Sequence, residues 1–282
     1  MTRRRLDVEL VRRRLATSRQ EAYVAIAEGR VLVGGAVADR ASRLVASAEP
    51  VELLGPPRRF VGRGGDKLDG ALDRFALDVA GAVALDAGAS TGGFTDCLLQ
   101  RGAALVAAVD VGHGQLDARL RADPRVVVLE RTHVRDLDPG SLAGSLGVGR
   151  VPVDFVTADL SFISLTVAVP VLAGPVVRAG GPLVLLVKPQ FEVGRAAVGR
   201  GRGVVREPEL WLGALRAVAS SLAGAGAAIM DAMRSPLTGA SGNAEFFLHA
   251  VAHTAGAPGA DGAALPEEVE LRLRDAVSTA PR

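Results

Sequence analysis

Apolar residues recur along this chain in two rhythms. Over residues 5–15 (RLDVELVRRRL), Leu6, Leu10, Val11 and Leu15 stand at helical spacing with arginines between them, which predicts a short amphipathic helix. A second helix is predicted over 19–28, with Ser18 as its cap, Ala22, Val24, Ala25 and Ile26 as apolar positions and Gly29 as its stop. RVLVGGAVA then sets two short apolar runs about Gly34-Gly35, a hairpin signal. From residue 83 the rhythm changes. VALDAG, LVAAVD, RVVVLE, DFVTAD and PLVLLVKP read as strands, with helices after Gly92 and near 163–173; a helix near 207–223 precedes the strands AAIMDAM and EFFLHAV. This alternation predicts an α/β unit with a mainly parallel seven-stranded sheet and helices on both faces, in which ligands sit outside the C-terminal ends of the strands.

Composition sharpens the picture at three points. With 282 residues, 49% of them apolar, the chain can bury a core without staples, and its one cysteine, Cys97, cannot form an intramolecular disulfide. The start, MTRRRLDVEL, has no apolar core of a secretory signal, and the uncharged stretch between Asp159 and Arg178 contains Pro170 and Pro175, so a soluble cytoplasmic protein without a membrane segment is expected. Residues 1–63 hold 13 arginines against 7 acids, which points to a polyanionic partner. Among 33 basic residues only Lys67 and Lys188 are lysines, a scarcity expected of places where a guanidinium cannot substitute. The reading divides the chain into an N-terminal unit over 1–55, a stiff basic linker over 56–64 around Pro56-Pro57-Arg58-Arg59, an α/β unit over 65–253, and a low-complexity tail over 254–282 with one surface helix.

The chemistry-bearing residues gather at the predicted strand ends. The first strand runs into LDAGASTGGFT, where an acid, Asp86, precedes the glycines, unlike a phosphate-cradling loop. The second strand ends in Asp110, suited to ribose hydroxyls. Such an acid-rich site repels pyrophosphate and suits a sulfonium with an α-amino group. It resembles the S-adenosylmethionine loop of class I (Rossmann-like) methyltransferases. Asp159 and Lys188 follow buried strands, Glu245 opens the last one, and Lys67 in RGGDKL lies just before the sheet. The four histidines and Cys97 show no metal-ligand spacing, and no metal is expected.

A pattern of about 50 residues within 1–55, with Arg5-Leu6-Asp7, Ser18-Arg19 and Gly29-Arg30-Val31 before Val33-Gly34-Gly35, resembles the small α+β S4 RNA-binding domain. Together with RGGDKL, LDAGASTGGFTDCLLQ, ADLSFISL, VKPQFE and SGNAEFFLH, the chain over residues 4–250 resembles the TlyA family, in which an S4 domain precedes an FtsJ-like ribosomal RNA 2′-O-methyltransferase. The resemblance implies a catalytic tetrad of Lys67, Asp159, Lys188 and Glu245. It implies a cofactor site on Asp86, Gly88, Ser90, Gly92, Gly93, Phe94 and Asp110, with His133 and Val134 facing the adenine. It further implies RNA contacts from Arg5, Arg13, Arg19, Arg30, Arg59 and Arg63, and a cytidine 2′-hydroxyl of small- or large-subunit ribosomal RNA as target. One position departs from the family pattern: Gly62 stands where Ser is expected, which would loosen the linker. Methyl transfer to a ribose oxygen needs alignment and a place for the proton; Lys188 suits that task, as a neutral base or as a cation steering the hydroxyl, with Lys67, Asp159 and Glu245 around it. Two readings stand beside this one: a base or small-molecule methyltransferase on the same fold, and a non-enzymatic RNA-binding or haemolysin-like membrane-active protein, since members of the family often carry the name haemolysin.

Overall fold

The computed structural model describes residues 3–16, 19–55, 58–147, 152–194, 203–239, 242–252 and 265–279. These fall into two compact units, residues 1–58 and 59–282.

In the first unit, β1 (Arg3–Arg5) pairs antiparallel with β4 (Leu44–Ala46), and β2 (Val31–Val33) lies between β3 (Ala36–Val37) and β5 (Val51–Leu53). Gly34 and Gly35 both adopt positive φ (61° and 79°), as the two-residue hairpin turn requires. Helices α1 (Leu6–Arg12) and α2 (Arg19–Ala27) bury Leu6, Leu10, Ala22 and Ile26 against Val31, Val33 and Val45. Helix α1 is shorter than its periodicity predicts. Arg14 turns to φ 60°, Arg14 N–H donates to Val11 O, and Leu15 N–H donates to Leu10 O, so the helix closes in a Schellman motif with arginine at the position glycine usually takes. The expected Ser18 cap and the Pro56-Pro57 pair lie outside the described residues.

The second unit is one seven-stranded sheet of order β11-β12-β10-β9-β6-β7-β8: β6 (Val83–Ala87), β7 (Leu105–Val109), β8 (Val126–Leu129), β9 (Phe155–Ala158), β10 (Pro182–Val187), β11 (Ala228–Arg234) and β12 (Phe246–Val251). Only β12 runs against its neighbours. From β6 the chain proceeds outward to β7 and β8 and then returns to β9 on the other side of β6. The switch point, where such folds open a ligand crevice, therefore lies between β6 and β9. One face packs on α7 (Leu165–Leu172) and α9 (Pro208–Gly224) through Leu165, Leu172, Leu215 and Leu222; the other packs on α3 (Arg63–Arg74) and α4 (Gly93–Gln100) through Leu68, Leu72, Phe94 and Leu98. Shorter helices α5 (Ala118–Ala122), α6 (Pro139–Leu146) and α8 (Pro189–Glu192) complete the connections. Among the described residues, no helix is long and apolar enough to cross a membrane.

Two expectations need correction. Residues 59–64 do not form a free linker: Phe60 is buried in the core beside Leu68 and Phe94, and Asp96 accepts the Val61 N–H at 2.8 Å. Nor is the end of the chain a surface appendage. Helix α10 (Glu267–Ser278) spaces Val269, Leu273 and Ala276 four and three residues apart, all three are buried in the core that α9 and β11 share, and Glu270 pairs with Arg216 of α9. Leu273→Ala is therefore expected to destabilise the second unit by about 2–5 kcal/mol, the range for deleting a buried leucine side chain; denaturant unfolding of the full chain measures it, and a loss below ~0.5 kcal/mol would mean that the helix is a surface appendage after all.

Candidate active site

The site is built on glycines that let backbones touch. Helix α3 begins Arg63-Gly64-Gly65, and α4 begins with Gly93. A Cβ on Gly93 would stand 3.0 Å from Gly65 N and 3.2 Å from Gly64 Cα, and one on Gly65 would penetrate the Phe60 ring. The two helix starts thus meet backbone to backbone, and α3 delivers the buried Lys67 to Glu245 at the start of β12, where Nζ and Oε2 are 2.5 Å apart. Gly239 performs the same service for Glu245, since a Cβ there would stand 2.0 Å from Oε1. At Gly62 the backbone is extended and caps α3 without a side chain; a Cβ would meet Thr91 Oγ1 at 3.0 Å, so the glycine lies closely packed on the loop after β6 rather than in a loose connection.

The second lysine ends β10. Lys188 Nζ lies 2.6 Å from Asp159 Oδ1, an ion contact whose angle is not that of a hydrogen bond, and donates to Ser161 Oγ at 2.9 Å. All four predicted tetrad residues therefore lie at the C-terminal edge of the sheet or against it, as two lysine–carboxylate pairs.

Beside them, over β6, β7 and β9, opens a cavity of about 390 Å3. Gly88, Ser90, Asp110, His133, Val134 and Asp159 line it, and so do Gln115 and Phe162, which the sequence reading missed. Gly88 (φ 88°) passes so close to β9 that a Cβ would stand 2.5 Å from Asp159 O. Asp110 accepts the Ser90 N–H at 2.8 Å and the Gly112 N–H at 2.6 Å, which draws both loops around the cavity; each carboxylate oxygen retains acceptor capacity for hydroxyls. Phe94 and Gly93 line a smaller recess with Gly62, Gly64 and Asp159. Gly92 lines neither: its φ of 98° turns the chain into α4, and its missing Cβ makes room for Leu120. The expectation for Asp86 is corrected as well. It is wholly buried beneath the loop, where Thr95 Oγ1 donates to Oδ2 at 2.6 Å and Oδ1 has no hydrogen-bond partner among the described residues. Burial above all, with the charges of Asp159 and Asp110 adding to it and the Thr95 hydrogen bond opposing, pushes its carboxyl up to about 7. Cys97, buried in α4, is pushed up to about 12, chiefly by burial, and is no nucleophile. Taken together, the tight glycine cradle and the acids around the cavity fit a cationic nucleoside cofactor.

The arginines expected to meet RNA are partly engaged within the protein. Arg13 donates to Glu9 Oε1, Glu49 O, Ala46 O and Ser47 O, which makes it a structural link and corrects its assignment to RNA. Arg5 and Arg19 both bond Asp7, but their side chains remain 48% and 64% exposed and can face a phosphate as well. Burial pushes Asp7 upward, and the two guanidiniums outweigh it, so its carboxyl lies below the usual range. Glu9 is held at about 2 by Arg12 foremost, against its burial. Arg30 donates to Leu54 O, Arg59 pairs with Asp69, and Arg63 donates to Thr238 O.

The FtsJ-like methyltransferase family matches residues 60–251 of this chain, and the S4 domain matches residues 4–49. The chain is 49% identical over 247 residues to the 16S/23S rRNA (cytidine-2'-O)-methyltransferase TlyA of Mycobacterium tuberculosis, covering 87% of this chain and 89% of that protein. It is 34% identical to hemolysin A of Brachyspira hyodysenteriae, covering 87% and 98%. A solved structure of a candidate hemolysin from Streptococcus thermophilus superposes with a TM-score of 0.72 at 35% identity, over 98% of this chain and 96% of that one.

The burial of Asp86 has a consequence measurable without any ligand. A carboxyl held at about 7 in the folded protein, against 3.8 as its ordinary value, binds more protons folded than unfolded between those limits, so its contribution to stability is present at low pH and is lost as pH rises through about 7. Asp86→Asn removes that penalty. The stability of the variant minus that of the wild type is expected to rise from pH 5 to pH 8 in denaturant unfolding; a flat difference would show that Asp86 titrates in its ordinary range.

Proposed function

We propose that this chain, which belongs to the TlyA family of FtsJ-like methyltransferases, transfers the methyl group of S-adenosylmethionine to the ribose 2′-oxygen of a cytidine in ribosomal RNA. The observation that carries the reading is the placement of two lysine–carboxylate pairs, Lys67–Glu245 and Lys188–Asp159, at the strand ends beside a cavity walled by glycines and acids. The relative at 49% identity supports the cytidine and the ribosomal RNA, and the S4 domain at residues 4–49 supports binding through RNA phosphates and shape. Such a substrate puts the work of the enzyme where ribosomes are, in the cytoplasm.

The bound cofactor supplies an electrophilic methyl group on a sulfonium. The protein's own task is to hold the acceptor oxygen in line with it and to manage one proton. Gly88, Ser90, Asp110, His133 and Val134, which line the cavity, would hold the cofactor, with the Asp110 carboxylate available to its ribose hydroxyls. Lys188 meets the 2′-hydroxyl. Asp159 and Ser161 fix its ammonium, and Glu245 fixes that of Lys67, so both nitrogens are held before the substrate arrives. The proton of the 2′-hydroxyl would pass to Lys188 if its amine is neutral, or to water if Lys188 stays an ammonium that only steers the oxygen.

Lys188 separates the two forms this step can take. Lys188→Ala is expected to lower methyl transfer to ribosomal subunits from a strain lacking the gene by roughly 10²–10⁴-fold, while cofactor binding persists in calorimetry. An arginine keeps the charge but cannot release its proton. If Lys188 is a base, Lys188→Arg is as inactive as Lys188→Ala; if it steers as a cation, the arginine variant keeps part of the activity. Full activity in Lys188→Ala would remove the residue from the mechanism.

The first unit contributes affinity and no chemistry in this reading. RNA binding by the full chain is expected to weaken steeply with salt, and removal of residues 1–58 to flatten that slope in filter-binding titrations at several salt concentrations. Equal slopes with and without the segment would assign it another role.

A further inference from the structure

The loops after β9 and β10 both end at the proposed active site, and side chains stitch them together at three points. Lys188 reaches Asp159 and Ser161. The rings of Phe162 and Phe191 lie 5.4 Å apart, with Phe162 at φ 68° and almost fully exposed. Glu192, the last residue of α8, reaches across to the start of α7: its Oε1 accepts the Leu165 N–H at 2.9 Å, and its Oε2 accepts the Ser164 hydroxyl at 2.5 Å.

Capping alone does not account for this carboxylate. Ser164 already caps α7 through Thr166 N–H, and Val167 N–H finds Ser164 O. Because a carboxylate only accepts, the Ser164 proton points to Glu192, and Thr166 Oγ1, 2.6 Å away, is left to donate to Ser164. Burial holds the Glu192 carboxyl above its ordinary range despite both hydrogen bonds, so charge at this position is costly. What the link does is fix Ser164, three residues beyond the Ser161 hydroxyl that receives Lys188.

We infer that Glu192 is a positioning residue for methyl transfer: by pinning Ser164 and Leu165 it holds Ser161, and through Ser161 the Lys188 ammonium, in place against Asp159. The inference rests on the reading that Lys188 acts on the 2′-hydroxyl. Neither Glu192 nor Ser164 belongs to the tetrad or lines the cavity.

The test measures kcat and the RNA KM of the full-length enzyme on ribosomal subunits at saturating S-adenosylmethionine, together with the cofactor Kd and the unfolding midpoint. Glu192→Ala is expected to lower kcat about tenfold or more per folded molecule, with KM and cofactor Kd changed far less, as misplacing a reacting group by a fraction of an ångström does. Glu192→Gln accepts the Leu165 N–H and donates to Ser164, and is expected to recover most of the rate. If Glu192→Ala fails to fold, Ser164→Ala breaks the same link from the other side and is expected to show the same selective loss of kcat. Wild-type kcat in folded Glu192→Ala or Ser164→Ala, or equal loss in the Ala and Gln variants, overturns the inference while leaving the methyltransferase reading intact. A wild-type enzyme that transfers no methyl group to any ribosomal subunit overturns both.

Discussion

The catalytic unit depends on one steric constraint: the starts of α3 and α4 must meet without side chains between them. A Cβ on Gly93 would press on the Gly64–Gly65 backbone at 3.0–3.3 Å, and one on Gly65 would run into Phe60, which fills the far side of that residue. Moving α3 out by the width of a methyl group would take Lys67 off Glu245, strip Leu68 and Leu72 from the sheet, and detach the helix whose first turn follows the cofactor loop. One contact thus sets the position of a proposed catalytic lysine and borders the proposed cofactor site. It accounts for Gly65 in RGGDKL and Gly93 in STGGFT, while Gly92 serves the turn into α4 and the packing of Leu120.

The lysine–carboxylate pairs that this frame holds are not a device for stability. Withdrawing two charges from water costs free energy that their mutual attraction seldom returns in full, and apolar residues of like size would serve the core at least as well. Lys67 and Glu245 are nevertheless buried, and Asp86 is kept beneath the loop with one oxygen unpartnered among the described residues. Costly charge concentrated at one edge of an otherwise apolar sheet is the mark of a site arranged for reaction rather than for folding. Unlike the tetrad pairs, Glu192 reaches the site only through backbone and hydroxyl partners.

Much of this was legible in the sequence, for definite reasons. The strands of the second unit stand out as apolar runs, and Asp110, Asp159 and Lys188 directly follow three of them, so the sheet could be read from the pattern. The grouping of Lys67, Asp159, Lys188 and Glu245 as a tetrad came instead from the resemblance to the TlyA family. Helix α3 was passed over. Leu68, Ala71, Leu72 and Phe75 do stand at helical spacing, but its first turn, RGG, looks like a loop, and only the packing against α4 shows why glycines begin it. The apolar spacing of α10 was visible, but its burial depends on α9 and β11, which lie far away in sequence. Asp86 was misplaced because an acid at a strand end looks the same whether it points into the crevice or beneath it. Phe162 left no signal, since nothing in LSFIS announces a left-handed residue.

The first unit shows why net charge is a coarse guide to an RNA-binding face. Residues 1–58 hold eleven arginines to seven acids. Asp7 and Glu9 are buried, and four of the arginines, Arg5, Arg12, Arg13 and Arg19, are arranged around them. The Glu9 pairs lie three and four residues apart on one helix and could be anticipated from spacing; the reach of Arg19 to Asp7 depends on the packing of α2 against α1. Each of these acids is shared by two arginines, so each cluster keeps one positive charge at a distance, and the field that a phosphate meets adds that remainder to the arginines left outside. Arg3, Arg14 and Arg40 are exposed, and Arg14 is turned outward by the same left-handed residue that ends α1. Arginine in this unit therefore has two uses, neutralising acids buried in a small core and presenting charge to a polyanion, and only the fold separates one from the other.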